Sequence, residues 1–249
     1  MSAPSALGDR IEQLNQAARD GDVGAIYEVI RMDANILEAI DAIPFVDTPL
    51  HESALAGGAE HIRFAIEMMW LKPSFSWKLN PDGFSPVHLA LRGGHTRMVR
   101  ELLQFDADLV REKGRECRTP LHVVAEKLEQ YDLLVEFLSV CPNSIEDVTI
   151  QNQTALHIAL ESNNMKAFEH LVSCLEKFGS EKALKILNWL DENGRTVFRA
   201  AVFKKNPKAS FLHSSVIYTL KKHCKVCVVN VCRASIHHDH FFLFPFFEL

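Results

Sequence analysis

Four histidines, His51, His88, His122 and His157, stand at near-regular intervals of 37, 34 and 35 residues. Histidine is a common metal ligand and acid–base group, so a row of them could in principle do chemistry. A denser group lies near the C-terminus, where Cys224-x2-Cys227-x4-Cys232-x4-His237 has zinc-knuckle spacing. Four nitrogen and sulfur ligands are what tetrahedral zinc takes. Three features oppose that reading. The last two ligand types are exchanged relative to the usual C-C-H-C order, no glycine helps so tight a loop to close, and Val226, Val228, Val229 and Val231 favour a strand. Cys117, Cys141 and Cys174 are scattered singly and read as small hydrophobes of a reducing compartment. The chain contains no glycine-rich phosphate loop, G-x-S-x-G elbow, H-E-x-x-H or kinase signature. Carboxylate pairs such as Asp20 and Asp22 fall at helix ends with no second partner at a readable spacing. Neither enzymatic activity nor a resident metal or cofactor is expected.

The composition sets the class in which these residues must act. With 249 residues, 47% hydrophobic and 24% charged, the chain has ordinary globular proportions. Collagen, a disordered tail and a membrane bundle are excluded. Residues Met1 to Arg10 lack the charged start and apolar run of a secretory signal, and no stretch approaches the roughly 18 apolar residues of a spanning helix. Residues 209–249 carry Lys221, Lys222, Lys225 and Arg233 against Asp239 and Glu248, a charge of +2, which leaves −7 on the rest of a chain of net charge −5. Neither value has the basic footprint of a nucleic-acid protein.

Each of the four histidines closes a recurring string. Thr48-Pro49-Leu50-His51 returns as Ser85-Pro86-Val87-His88, Thr119-Pro120-Leu121-His122 and Thr154-Ala155-Leu156-His157, then fades into Thr196-Val197-Phe198-Arg199. A degenerate earlier copy is Leu14-Asn15-Gln16-Ala17-Ala18. Thr or Ser caps a helix and proline at the first helical position needs no N–H, so each copy predicts a helix start. These helices are short and stop near Gly57-Gly58, Gly93-Gly94 or Asn163-Asn164. A second helix follows, with apolar residues at helical spacing such as Ile62, Ile66 and Met69, or Val99, Leu102 and Leu103. Such a unit has a one-sided apolar face, which is buried only by stacking units into a solenoid.

The strings and their period resemble those of ankyrin repeats, whose signature is T-P-L-H-x-A at about 33 residues. The resemblance covers roughly residues 10–208 and implies an all-α ankyrin-repeat solenoid of five to six helix–turn–helix units with short β-hairpin loops. The connectors Met32-Asp33-Ala34-Asn35-Ile36-Leu37 and Phe105-Asp106-Ala107-Asp108-Leu109-Val110 resemble those of plant ankyrin-repeat proteins of innate immune signalling. Those relatives usually continue into a membrane-spanning C-terminal domain, which this sequence lacks. The family implies a protein-binding scaffold or adaptor in plant signalling or defence, with unidentified protein partners and no nucleic acid. A monomer is expected, in the cytoplasm or at the inner face of the plasma membrane. Carried over by position, the partner-binding residues at the loop tips are Phe45, Asp47, Asp82, Phe84, Arg115, Glu116, Arg118, Gln151 and Gln153. Those late in the first helices are Arg92, Glu126, Lys127 and Glu161. The resemblance also gives His51, His88, His122 and His157, with Thr48, Ser85, Thr119 and Thr154, a structural role within and between loops. Stacking spaces the histidines a repeat apart, too far to share one metal. His61, His95 and His170 read as surface or repeat-consensus residues.

The repeat domain is placed at 1–208 and a divergent tail at 209–249, of which 209–222 has the pattern of a final outer helix. Past His223 nothing resembles a repeat, and Phe241 to Phe247 form an apolar run interrupted by Pro245. Residues 223–249 read as sequence unrelated to the repeats, such as an alternative transcript or a misread gene. The alternatives are a zinc-binding module and an aromatic end that inserts shallowly into a membrane interface or a partner groove, membrane insertion making the chain a membrane-associated regulator.

Overall fold

Proline at the first helical position starts three helices at the expected places: α4 (Pro49–Ala56), α6 (Pro86–Arg92) and α8 (Pro120–Glu126). A fourth, α10 (Ala155–Glu161), begins with alanine in the same place. The structure is a computed structural model that describes residues 3–197 and 199–200. Before these helices come α1 (Ala3–Asp20), α2 (Val23–Met32) and the short α3 (Ile36–Asp41). Each inner helix is followed by an outer one: α5 (Ala59–Leu71), α7 (Thr96–Phe105), α9 (Tyr131–Val140) and α11 (Met165–Leu175). A last helix, α12 (Ser180–Leu187), precedes the next loop.

The inner helices form one layer, with α1 on α4, α4 on α6, α6 on α8 and α8 on α10. Outer helices form the second layer, where α2 meets α5, α5 meets α7 and α9 meets α11. Between the layers one apolar core runs the length of the stack, from Leu14 through Leu50, Phe64, Phe75, Val99, Leu121 and Phe137 to Phe168 and Leu187. This is the all-α solenoid expected from the repeats. The degenerate first copy fits the same frame, since Leu14, Ala17 and Ala18 are buried in α1.

Inner helices stop where the chain needs a left-handed residue. Gly57, Gly94 and Asn163 take positive φ there, of 70°, 72° and 57°. At Gly57 the ring of His95 also lies where a Cβ would project, 2.0 Å from its ideal position. Either fact alone selects glycine.

The loops between units are present as tight turns; among the described residues none is long enough to be a strand. Each turn is closed across five residues by an N–H donating to a carbonyl: Asn80 to Phe84 at 2.9 Å, Gly114 to Arg118 at 2.9 Å, Thr149 to Gln153 at 3.0 Å and Asp191 to Arg195 at 3.0 Å. Neighbouring fingers join through single backbone bonds, Ile150 N–H to Glu116 O and Glu192 N–H to Gln151 O, both 2.9 Å. The fourth residue of each turn is left-handed: Gly83, Cys117, Asn152 and Gly194. Cys117 is a misfit, as is its neighbour Glu116 at φ 61°, because this conformation costs an ordinary side chain about 1–2 kcal/mol. Glycine adds unfolded-state entropy worth roughly 0.5–1 kcal/mol, which is the smaller term. Cys117→Gly is therefore expected to stabilise the fold by about 0.5–1 kcal/mol in a urea titration, and a lower midpoint would contradict the strain assigned to this turn.

Residues 201–249 lie outside the described residues. With them lie the proposed outer helix 209–222, the aromatic run and the cysteine–histidine cluster at 224–237.

Candidate functional site

The repeated histidines are joints of the scaffold. His51 Nδ1 faces the N–H (3.1 Å) and hydroxyl (2.8 Å) of Thr48, and its Nε2 faces the carbonyl of Phe84, one finger on, at 3.0 Å. A carbonyl only accepts, so Nε2 carries the proton and Nδ1 is the acceptor. His88 repeats this between Ser85 and the Arg118 carbonyl, at 2.7 and 2.9 Å, and His157 between Thr154 and the Arg195 carbonyl, at 2.9 and 3.3 Å. His122 makes the inner half, to Thr119, but its Nε2 has no hydrogen-bond partner. Burial is the main force on all four rings. It pushes His51, His88 and His122 down to about 4 and lowers His157 as well. These imidazoles are neutral at pH 7, and among the described residues no group of three or more His, Cys, Asp or Glu could hold a metal ion.

A second ladder was not legible in the sequence. At the start of each of the outer helices α5, α7, α9 and α11 a polar side chain donates to a carbonyl near the end of the inner helix of the unit before. His61 Nε2 reaches Arg19 O at 2.7 Å, His95 Nε2 reaches Leu55 O at 2.8 Å, Gln130 Nε2 reaches Leu91 O at 2.7 Å and Asn164 Nδ2 reaches Ala125 O at 3.1 Å. The position demands a donor, not one residue type, so it leaves no repeating letter. His61 and His95 are thus inter-repeat struts, whereas His170 stacks edge-on against Tyr131 at 5.7 Å.

With the joints assigned, the remaining side chains on the finger and inner-helix side can be sorted. Phe45, Asp82, Arg92, Arg115, Glu116, Glu126, Gln151 and Glu161 are exposed. Three local pairs stand out: the Arg92 guanidinium lies over the Phe84 ring at 4.7 Å, Arg118 Nη2 meets Glu126 Oε2 at 2.5 Å, and Arg195 meets Glu161 at 3.4 Å. These contacts hold long side chains in place before any partner arrives, which lowers the ordering cost of binding. Asp47 accepts from Asn80 Nδ2 at 2.8 Å, and Gln153 closes its own turn on Thr149. Lys127, expected at the binding face, instead donates to the Leu91 carbonyl at 3.0 Å. The sequence reading missed the exposed apolar side chains of the inner helices, fingers and the turn after α8: Leu55, Ile150 and Leu128 are 53%, 69% and 63% exposed. Leu55 occupies the same place in its helix as Arg92, Glu126 and Glu161, so register alone could have found it.

Residues 14–113 match the family model described as ankyrin repeats (3 copies). Over the described residues the chain has the fold of an ankyrin-repeat solenoid. Over 67 residues, 27% of this chain and 15% of the relative, it is 42% identical to ankyrin repeat-containing protein BDA1 of Arabidopsis thaliana. Over 103 residues, 41% of this chain and 20% of the relative, it is 34% identical to the NF-kappa-B inhibitor cactus of Drosophila melanogaster. The matched part thus spans a fifth or less of these relatives. The ankyrin framework observed extends beyond the matched segment, since α8 to α11 repeat its geometry to Leu175.

Proposed function

We propose that this chain is a non-catalytic protein-interaction module, an adaptor or scaffold in plant signalling or defence, whose partner binds across the fingers and inner helices. The observation that carries the reading is the set of preassembled pairs in units three to five, Phe84–Arg92, Arg118–Glu126 and Glu161–Arg195, together with exposed Leu128 and Ile150. Aromatic and arginine anchors beside apolar side chains are what interface hot spots favour. A stacked scaffold also presents an extended surface with little to order on binding. The Arabidopsis relative and the immune-type connectors support the plant setting, and the cactus relative is by name an inhibitor of another protein. Among the described residues no helix is long and apolar enough to cross a membrane. The module is placed in the cytoplasm, with the inner face of the plasma membrane as the alternative site.

The fingers offer a clean test, because the histidine rungs end on the backbone carbonyls of Phe84 and Arg118 and not on their side chains. The double variant Phe84→Ala/Arg118→Ala should keep the wild-type melting curve to within about 0.5 kcal/mol. Affinity capture from plant tissue before and after an immune elicitor identifies the partner, and titration of that purified partner measures the effect. A loss of about 1–2 kcal/mol or more in binding is expected. Unchanged affinity would remove the partner from this face.

A further inference from the structure

The outer helices bear a second apolar surface that the finger-side reading does not use. A solvent-facing helix side is ordinarily polar, yet Trp70 near the end of α5 is 72% exposed. Its indole meets the ring of Phe105, the last residue of α7, edge to face at 89° with centroids 5.6 Å apart. Two successive units therefore hold the pair in place. Trp77 follows on the same connector end, 37% exposed, its Nε1 donating to Asp106 Oδ2 at 3.2 Å. Met32 and Val140, which end α2 and α9 as Phe105 ends α7, are 59% and 51% exposed, so the apolar edge continues into the first and fourth units.

Several carboxylates gather around this edge. Glu67 and Glu101 stand one turn before the ends of α5 and α7, and Asp106 lies beside Trp77. Of the nearby cations, Lys72 is bridged to Glu38 and to Asp41, the latter at 3.0 Å, and Lys78 to Asp41 at 3.4 Å. Glu67 accepts from the Tyr27 hydroxyl and Asp106 from Trp77, but among the described residues neither these two nor Glu101 is in a salt bridge. An exposed indole beside such negative charge is a receptor for a cation carried on an apolar frame: the ring attracts the cation and the carboxylates complement it.

We propose that the Trp70–Phe105 edge is a second docking surface, for a partner polypeptide segment in which apolar side chains alternate with Lys or Arg. The partner lies across the outer-helix ends of units two and three, away from the fingers. Both surfaces can then be occupied at once, which is what an adaptor requires.

The test uses the full chain and a synthetic amphipathic lysine–leucine peptide, followed by calorimetry and tryptophan fluorescence. Binding with a fluorescence shift is expected. Trp70→Ala should weaken it about tenfold, a loss typical of a central aromatic anchor, with an unchanged melting curve. Trp70→Phe should retain most of the affinity, Glu67→Gln/Glu101→Gln should weaken binding and flatten its salt dependence, and Phe84→Ala/Arg118→Ala should leave it intact. Equal binding by Trp70→Ala, or by oligolysine lacking apolar residues, overturns the proposal. So does a Trp70-dependent self-association in sedimentation, which would give the edge to a second copy of the chain.

Discussion

Acidification from pH 6.5 towards pH 4 is expected to unfold the solenoid, with a midpoint near pH 5, before most carboxylates are neutralised. The cause is the row of buried neutral histidines. His51, His88 and His122 fall from the ordinary 6.5 to about 4 on folding. The unfolded chain thus binds more protons than the folded one throughout this window, and stability drops as pH falls. Their stabilising contribution is complete above 6.5 and gone below 4. Each is worth roughly 3 kcal/mol over the whole window and about 2 kcal/mol by pH 5. Three such groups cost about 6 kcal/mol at pH 5, comparable to the entire stability of many domains. His157 adds to the loss, its ring also lowered by burial. Glu112 works the other way, since burial raises its carboxyl to about 7 and acidification relieves it. It is one half-exposed group, so solvent screening leaves it too weak to offset three buried rings. Far-UV circular dichroism along a pH titration checks this. Helicity kept intact to pH 4 would show that the histidines do not set the acid limit.

That sensitivity was implicit in the sequence, because the T-P-L-H strings placed each histidine three residues after a helix cap. The inner helices, the apolar faces of the outer ones and the buried first copy were legible for the same reason: each depends on a residue type that only one local geometry favours. What escaped were features set by contacts across units. The helix α12 fills the longer interval before Thr196, and no motif announces it. The Gln130 and Asn164 struts share no letter with His61 and His95, although all four perform one task. Lys127 illustrates the limit at the candidate surface. A lysine late in a short helix looks like a solvated charge, yet here its long side chain lies back over the preceding unit and ends on the Leu91 carbonyl. Exposure in a solenoid depends on the neighbour that stacks on it, which a single repeat does not encode.

The same logic predicts where a single deletion will be felt most. Leu121 is fully buried in α8, whose helix packs against α6 on one side and α10 on the other. Leu121→Ala removes its own burial and also loosens the contacts that couple unit three to unit five. A buried leucine truncated in a packed core costs about 2–5 kcal/mol, the upper end applying where the surroundings cannot collapse. Here collapse is hindered, since α8 is held by the Thr119–His122 cap at its start and by the Asn164 strut to Ala125 near its end. Leu128, two residues beyond α8 and 63% exposed, supplies the control: Leu128→Ala should change stability by less than about 0.5 kcal/mol. Stability of a solenoid is a sum of unit terms and nearest-neighbour interfaces, so a weakened central interface can also split one transition into two. Urea titration followed by circular dichroism distinguishes the outcomes. A lower midpoint, or a new intermediate plateau, places Leu121 at a load-sharing interface between units. A midpoint equal to that of Leu128→Ala would remove it from the core.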